Sequence, residues 1–187
     1  MPDTPNVSSA TERLLSALAE GAFEYALVGG LAVVLHGYDR YTRDVDALVW
    51  NLDDRLEELV GLLRERGFRL ADADQLATAR ASRILHLLAD DDTAVDVFLG
   101  FLPFEQEAIK RATAMTLREG VTGRVITPED LIIMKLIASR SRDLYDVIAL
   151  VDLYPDLDKD RIRTIVRDYA ETLERPDILK NLEERIV

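Results

Sequence analysis

The spacing of apolar side chains divides the chain into a first part that alternates between helices and short strands and a second part that is helical. Short apolar or alternating runs predict strands at 25–28, 44–50, 68–70, 83–88, 93–99, 115–117 and 124–126. Apolar residues at helical spacing predict helices at 9–20, 31–36, 51–66, 102–112, 127–138, 139–153, from 158 onward, and after Pro176. The predicted fold class is α/β (α+β), a mixed sheet flanked by helices and followed by a C-terminal helical half.

Residues typical of element ends give these elements their limits. Asn51 or Asp53 is the expected cap of the third helix, and Gly67 closes it because glycine tolerates positive φ. Thr127 followed by a proline and two acids is a clear helix start. We expect residues up to about Ser8 to be a flexible lead, a catalytic core at 1–126 and a helical subdomain at 127–187.

The stretch from Ala26 to Trp50 carries the candidate chemistry. Side chains alternate along a strand, so Asp44 and Asp46 share one face and repel each other, which is typical of ligands for a divalent cation. Gly29-Gly30 lies between a strand and a helix start, where a backbone without Cβ lets a phosphate approach free N–H groups. A phosphate cradle followed by a carboxylate pair describes a site for a nucleoside triphosphate (NTP) and Mg²⁺.

A resemblance to a known family supports that interpretation. The glycine pair, thirteen residues, and then Asp44-x-Asp46 resemble the signature of the DNA polymerase β-like nucleotidyltransferase superfamily. The segment RYTRDVD at residues 40–46 is most similar to its small AbiEii-like members, and so are TPEDLIIMK at 127–135 and RDLYD at 142–146. The resemblance covers roughly residues 25 to 150 and implies a nucleotidyltransferase-type mixed sheet.

The resemblance also implies a reaction and roles for particular residues. A nucleoside monophosphate passes from an NTP to an acceptor hydroxyl by a two-metal mechanism, and pyrophosphate is released. Two Mg²⁺ ions are held by Asp44, Asp46 and Asp96, and Asp96 is also the expected general base. The remaining roles are phosphate contacts from Gly29 and Gly30, charge compensation by Arg43 and Lys135, and an active-site hydrogen-bonding role for Asp143.

The residues alone leave alternatives open. Asp96 also fits a satisfied polar residue at a sheet edge, and Lys135 on its apolar helix also fits a cation whose stem is buried and whose head reaches water. Asp143 and Asp146 also fit ordinary helix-surface acids, and the resemblance favours Asp146 as a structural partner. The lone histidines, at positions 36 and 86, favour core packing over metal binding.

Composition narrows the class of protein. The 187 residues are 48% hydrophobic and 31% charged, without cysteine, without an apolar run of membrane-spanning length and without the features of a secretory signal. These features predict a soluble cytoplasmic protein with no membrane partner. The net charge of −12 argues against general binding to nucleic-acid backbone and against a large RNA footprint.

The sequence does not identify the acceptor substrate. The resemblance implies RNA such as tRNA ends, a small molecule such as an antibiotic, or a partner protein. We favour a toxin-like or stand-alone transferase, with an antitoxin as the partner of a toxin, over an antibiotic-modifying enzyme. The alternative hypothesis from another functional class is a non-catalytic nucleotide-binding or protein-interaction module on the same fold. The presence of all three carboxylates argues against it.

Overall fold

The computed structural model describes residues 9–186, so the expected flexible lead lies outside the described residues. The helices are α1 (Ser9–Glu20), α2 (Gly29–Leu35), α3 (Leu56–Glu65), α4 (Gln75–Ser82), α5 (Pro103–Arg111), α6 (Pro128–Ala138), α7 (Ser141–Leu153), α8 (Lys159–Thr172) and α9 (Pro176–Arg185). The strands are β1 (Tyr25–Val28), β2 (Val45–Trp50), β3 (Arg69–Leu70), β4 (Ile84–Leu88), β5 (Ala94–Gly100), β6 (Thr113–Arg118) and β7 (Val121–Val125). Within 9–186, no helix is long and apolar enough to cross a membrane.

The chain separates into two compact units. Within the described residues, the first comprises 9–32 together with 41–126, and the second comprises 33–40 together with 127–186. The division falls inside α2, so the segment Val33–Arg40 belongs with the later helices although it lies early in the chain.

The first unit is built on a seven-stranded sheet with the order β3-β4-β5-β2-β1-β7-β6. β2 pairs in parallel with β5, β1 pairs in parallel with β7, and the other neighbours are antiparallel. The predicted α/β class with a mixed sheet is therefore confirmed. The predicted hairpin of β4 and β5 is confirmed as well, with its turn at Asp90–Asp92.

The centre of the sheet alternates between a buried apolar face and a face that carries the acids. Val45, Ala47 and Val49 of β2 are buried, whereas Asp46 between them is only half-buried. The neighbouring β5 repeats the pattern, with Val95, Val97 and Leu99 buried around a half-buried Asp96. Burial of the apolar residues therefore directs both carboxylates to the other face of the sheet.

The second unit is helical, as the apolar spacing predicts. Thr127 caps α6 by accepting a hydrogen bond from the backbone N–H of Asp130, which confirms the predicted helix start. The Asp130 carboxylate is buried and accepts hydrogen bonds from Arg161 of α8 at 3.0 and 2.9 Å. This ion pair and the apolar contacts of α6 join α6 to α8.

Several element boundaries differ from the prediction. β2 begins at Val45, so Asp44 lies just before the strand. α3 begins only at Leu56, because Asn51 adopts the left-handed conformation (φ 56°) and Asp53 pairs with Arg83 instead of capping a helix. α7 begins at Ser141 rather than at Ser139, because Ser139 is also left-handed (φ 52°) and ends α6.

Candidate active site

Three polar side chains form a row across adjacent strands of the first unit. Asp46 of β2 lies in register with Asp96 of β5, and Asp96 lies in register with His86 of β4. Neighbouring strands are about 4.8 Å apart, so the three side chains are immediate neighbours on one face of the sheet. His86 Nδ1 is 2.7 Å from Asp96 Oδ1.

The glycine pair adjoins this row. Val28 at the end of β1 is the register partner of Asp46, and Gly29 follows it with φ +64° as the first residue of α2. A Cβ on Gly29 would lie 1.9 Å from Asp46 Oδ2, which no real contact permits. Glycine at this position therefore serves two needs, a left-handed backbone and room for the carboxylate. Gly30 is buried in the first turn of α2.

The segment just before β2 carries the remaining predicted residues of this unit. Asp44 is exposed, and so is Arg43 two residues from β2. Arg43 Nε donates a hydrogen bond to the Tyr41 hydroxyl at 2.9 Å, and its guanidinium lies 5.2 Å from the centroid of the Tyr41 ring. The hydrogen bond to Tyr41 raises the pKa of Arg43, whose exposed guanidinium is a cation in any case.

The donor set fits a magnesium ion in chemical type. Mg²⁺ prefers carboxylate and other oxygen ligands, and Asp46 and Asp96 are neighbouring carboxylates with Asp44 two residues before Asp46. Across residues 9–186, no group of three or more His, Cys, Asp or Glu side chains is arranged to hold a metal ion. The residues thus supply a pair of adjacent acids and a nearby exposed one, rather than a preformed cage.

In the second unit, Lys135 lies within a buried ion cluster. Its ammonium is 2.6 Å from Asp146 Oδ2 and 3.0 Å from Asp143 Oδ1, and its side chain is only 6% exposed. Arg40 Nη1 is 2.5 Å from the same Asp146 oxygen. The idea that Lys135 extends to water is therefore wrong, because two carboxylates bind its ammonium inside the protein. Asp146 is not an ordinary surface acid either; it is buried and joins two cations.

Reasoning from the sequence missed the contacts of His86 and Arg40. His86 was expected in the core, yet its side chain is 44% exposed and bound to Asp96. A signal existed, because pairing centred on Asp91 in the predicted hairpin turn places residue 86 opposite residue 96. Arg40 and Asp146 are 106 positions apart, and nothing local indicates that they meet. His36, by contrast, is buried and bonded to Tyr154, as expected for packing.

The seven-stranded mixed sheet flanked by helices defines a nucleotidyltransferase-like fold. JHP933 from Helicobacter pylori superposes with a TM-score of 0.52 at 17% identity, covering 100% of this chain and 88% of that chain. The antibiotic-resistance factor ANT(2'')-Ia gives 0.58 at 16% identity, over 94% of this chain and 96% of that chain. The lincomycin-bound lincosamide antibiotic adenylyltransferase LnuA gives 0.58 at 14% identity, over 79% and 98%.

A family model places the chain more narrowly. The model described as "Nucleotidyltransferase of unknown function (DUF6036)" matches residues 10–183, and the chain belongs to this family. A search of curated proteins by sequence found no match to this chain.

Proposed function

We propose that this protein transfers a nucleoside monophosphate from an NTP to an acceptor hydroxyl. The observation that carries the proposal is the register pair of Asp46 and Asp96 next to Gly29, in a chain of a nucleotidyltransferase family. Two half-buried carboxylates side by side repel each other, a cost that an apolar pair at these two positions would not carry. Such a pair can hold a divalent cation, and a bound cation in turn attracts phosphate oxygens.

The proposed roles follow the position of each residue. Asp44, Asp46 and Asp96 hold two Mg²⁺ ions, which when bound would acidify the acceptor hydroxyl and offset the charge of the leaving pyrophosphate. Asp96 accepts the proton of that hydroxyl. The hydroxyl oxygen then bonds to the α-phosphorus while the bond from that phosphorus to the bridging oxygen breaks, and the electron pair leaves with pyrophosphate.

Gly29, Gly30 and Arg43 bind the phosphates in this proposal. Gly29 is assigned by its left-handed backbone at the start of α2, where the Asp46 carboxylate lies against it. Arg43 is exposed and held by Tyr41, which supports a role in meeting an anionic ligand.

The roles of Lys135 and Asp143 are assigned by resemblance, and their contacts show which hydrogen-bonding groups remain available. An ammonium has three N–H donors, and two of those of Lys135 go to Asp143 and Asp146. We assign the third to the triphosphate. Asp143 then acts by orienting Lys135.

For the acceptor, we propose a stand-alone or toxin-type enzyme of the AbiEii-like kind, acting on an RNA end or on a protein. The net charge of −12 supports an acceptor that needs only a small contact area, such as the end of a tRNA. An antitoxin is the corresponding partner. Antibiotic modification is the alternative, since ANT(2'')-Ia and LnuA are antibiotic-directed proteins of the same fold.

The test is incubation with each α-³²P-labelled NTP, Mg²⁺ and one acceptor class at a time: total RNA, total protein, or a panel of aminoglycosides and lincosamides. We expect label in one class together with release of pyrophosphate, and loss of both in Asp46→Asn. Arg69→Gln, which alters an exposed ion pair with Asp92 at the far edge of the sheet, is the matched control. Tight NTP binding without label in any class would favour the non-catalytic module.

A further inference from the structure

We propose that His86 is the positioning residue for Asp96, orienting this carboxylate toward the metal site through one hydrogen bond. The inference rests on the proposed function and extends it to a residue that no motif assigns. Its basis is the contact of 2.7 Å between His86 Nδ1 and Asp96 Oδ1 at a register position of the β4–β5 hairpin.

The direction of this hydrogen bond follows from the chemistry of the two groups. An ionised carboxylate can only accept, so Nδ1 must carry the proton and donate it to Oδ1. In residues 9–186, no hydrogen bond engages the second oxygen, Oδ2, of Asp96. One oxygen is thus held by the imidazole, and the other is left for a ligand. Carboxylates that bind metals are themselves commonly fixed in this way by an outer hydrogen bond.

The surroundings of the pair argue against a purely structural purpose. The positions beside it on the same face are apolar, with Ile84 opposite Phe98 and Leu88 opposite Ala94. The two side chains are 44% and 32% exposed, and an ion pair this exposed contributes little stability. A further apolar pair would suit the hairpin better. A polar pair at this one position is explained by what lies beyond it, namely Asp46 on the adjoining strand.

A metal-ligand role for His86 itself is less well supported. Its Nδ1 donates to Asp96, which leaves Nε2 as its only possible metal-binding atom, and the described residues contain no group of three His, Cys or acidic side chains arranged around one point. The imidazole therefore acts through Asp96, and substitutions of His86 should behave as weakened forms of substitutions of Asp96.

The experiment is a titration of the full chain with Mn²⁺ in the absence of NTP. Electron paramagnetic resonance measures the concentrations of free and bound Mn²⁺ at each step. His86→Leu should weaken Mn²⁺ binding about 10- to 100-fold, the usual effect of losing an outer-shell partner. His86→Asn should bind within about threefold of wild type, because its amide N–H reaches about as far as Nδ1. Leu88→Ala, two residues along the same face, is the control and should bind like wild type. Thermal unfolding of each variant shows that it is folded.

Steady-state transfer supplies a second readout. His86→Leu should lower kcat and leave the KM for NTP nearly unchanged, because it misplaces the base rather than the phosphates; His86→Asn should restore kcat. The inference is overturned if folded His86→Leu binds Mn²⁺ like wild type, or if His86→Asn is as impaired as His86→Leu. If wild type itself binds no Mn²⁺ and transfers no label, the proposed function fails and this inference with it.

Discussion

Replacing Lys135 by methionine should destabilise the protein, although the alkyl stem is kept. The substitution removes the cation that lies 2.6 Å from Asp146 and 3.0 Å from Asp143. Asp146 keeps Arg40 as a partner at 2.5 Å. Asp143 keeps none among the described residues, and its Oδ2 is already buried without a hydrogen bond. The damage therefore falls on Asp143.

The size of this destabilisation depends on how deeply Asp143 and Asp146 are buried. Removing one partner of a buried ion pair destabilises a protein by about 3–5 kcal/mol. Asp143 is 16% exposed and Asp146 keeps one partner, so we expect about 2–4 kcal/mol, somewhat below that range. With a denaturant dependence of about 2 kcal/mol per molar urea, the midpoint should fall by roughly 1–2 M.

The assay is urea unfolding followed by circular dichroism at 222 nm. Lys180→Met is the matched control, because it makes the same chemical change at a lysine that is 75% exposed and 3.9 Å from Glu184. We expect the control to change stability by less than about 1 kcal/mol. Adding Asp143→Asn to Lys135→Met should recover part of the loss by removing the orphaned charge. A Lys135→Met variant as stable as Lys180→Met would refute the reasoning.

Three further outcomes are expected. Asp46→Asn should abolish transfer, and it should raise the thermal midpoint of the metal-free protein because it relieves repulsion from Asp96. The labelling assay measures the first effect and differential scanning fluorimetry the second. Full activity of this variant would contradict the two-metal mechanism. Asp96→Ala should abolish transfer with NTP affinity largely kept, whereas Asp91→Ser in the hairpin turn should change neither; calorimetric titration with NTP separates them. Gly29→Ala should abolish transfer and lower the free energy of unfolding by at least about 1–2 kcal/mol in urea, because φ is +64° and the added Cβ would meet Asp46. An active and stable variant would contradict the close contact between Gly29 and Asp46.

The local sequence determined most of the elements and the sheet face on which Asp46 and Asp96 lie. Alternation in β2 and β5 depends only on neighbours one and two residues away, so burial of the valines was enough to place Asp46 and Asp96 on the opposite face. The cap at Thr127 and the hairpin turn are likewise local. Because these interactions span a few residues, they can be read from one chain.

Partners far apart in the chain were decided by the tertiary structure. The strand order brings Asp96 beside Asp46, fifty residues earlier, in a parallel pairing that no turn specifies. Lys135 could have met water, a phosphate or a carboxylate, and its helix has the same apolar pattern in each case. Only packing of α6 against α7, with Arg40 arriving from the first half of the chain, selects the two aspartates. An apolar pattern specifies burial but not the partner, because charge pairing depends on which distant segment is brought within about 3 Å.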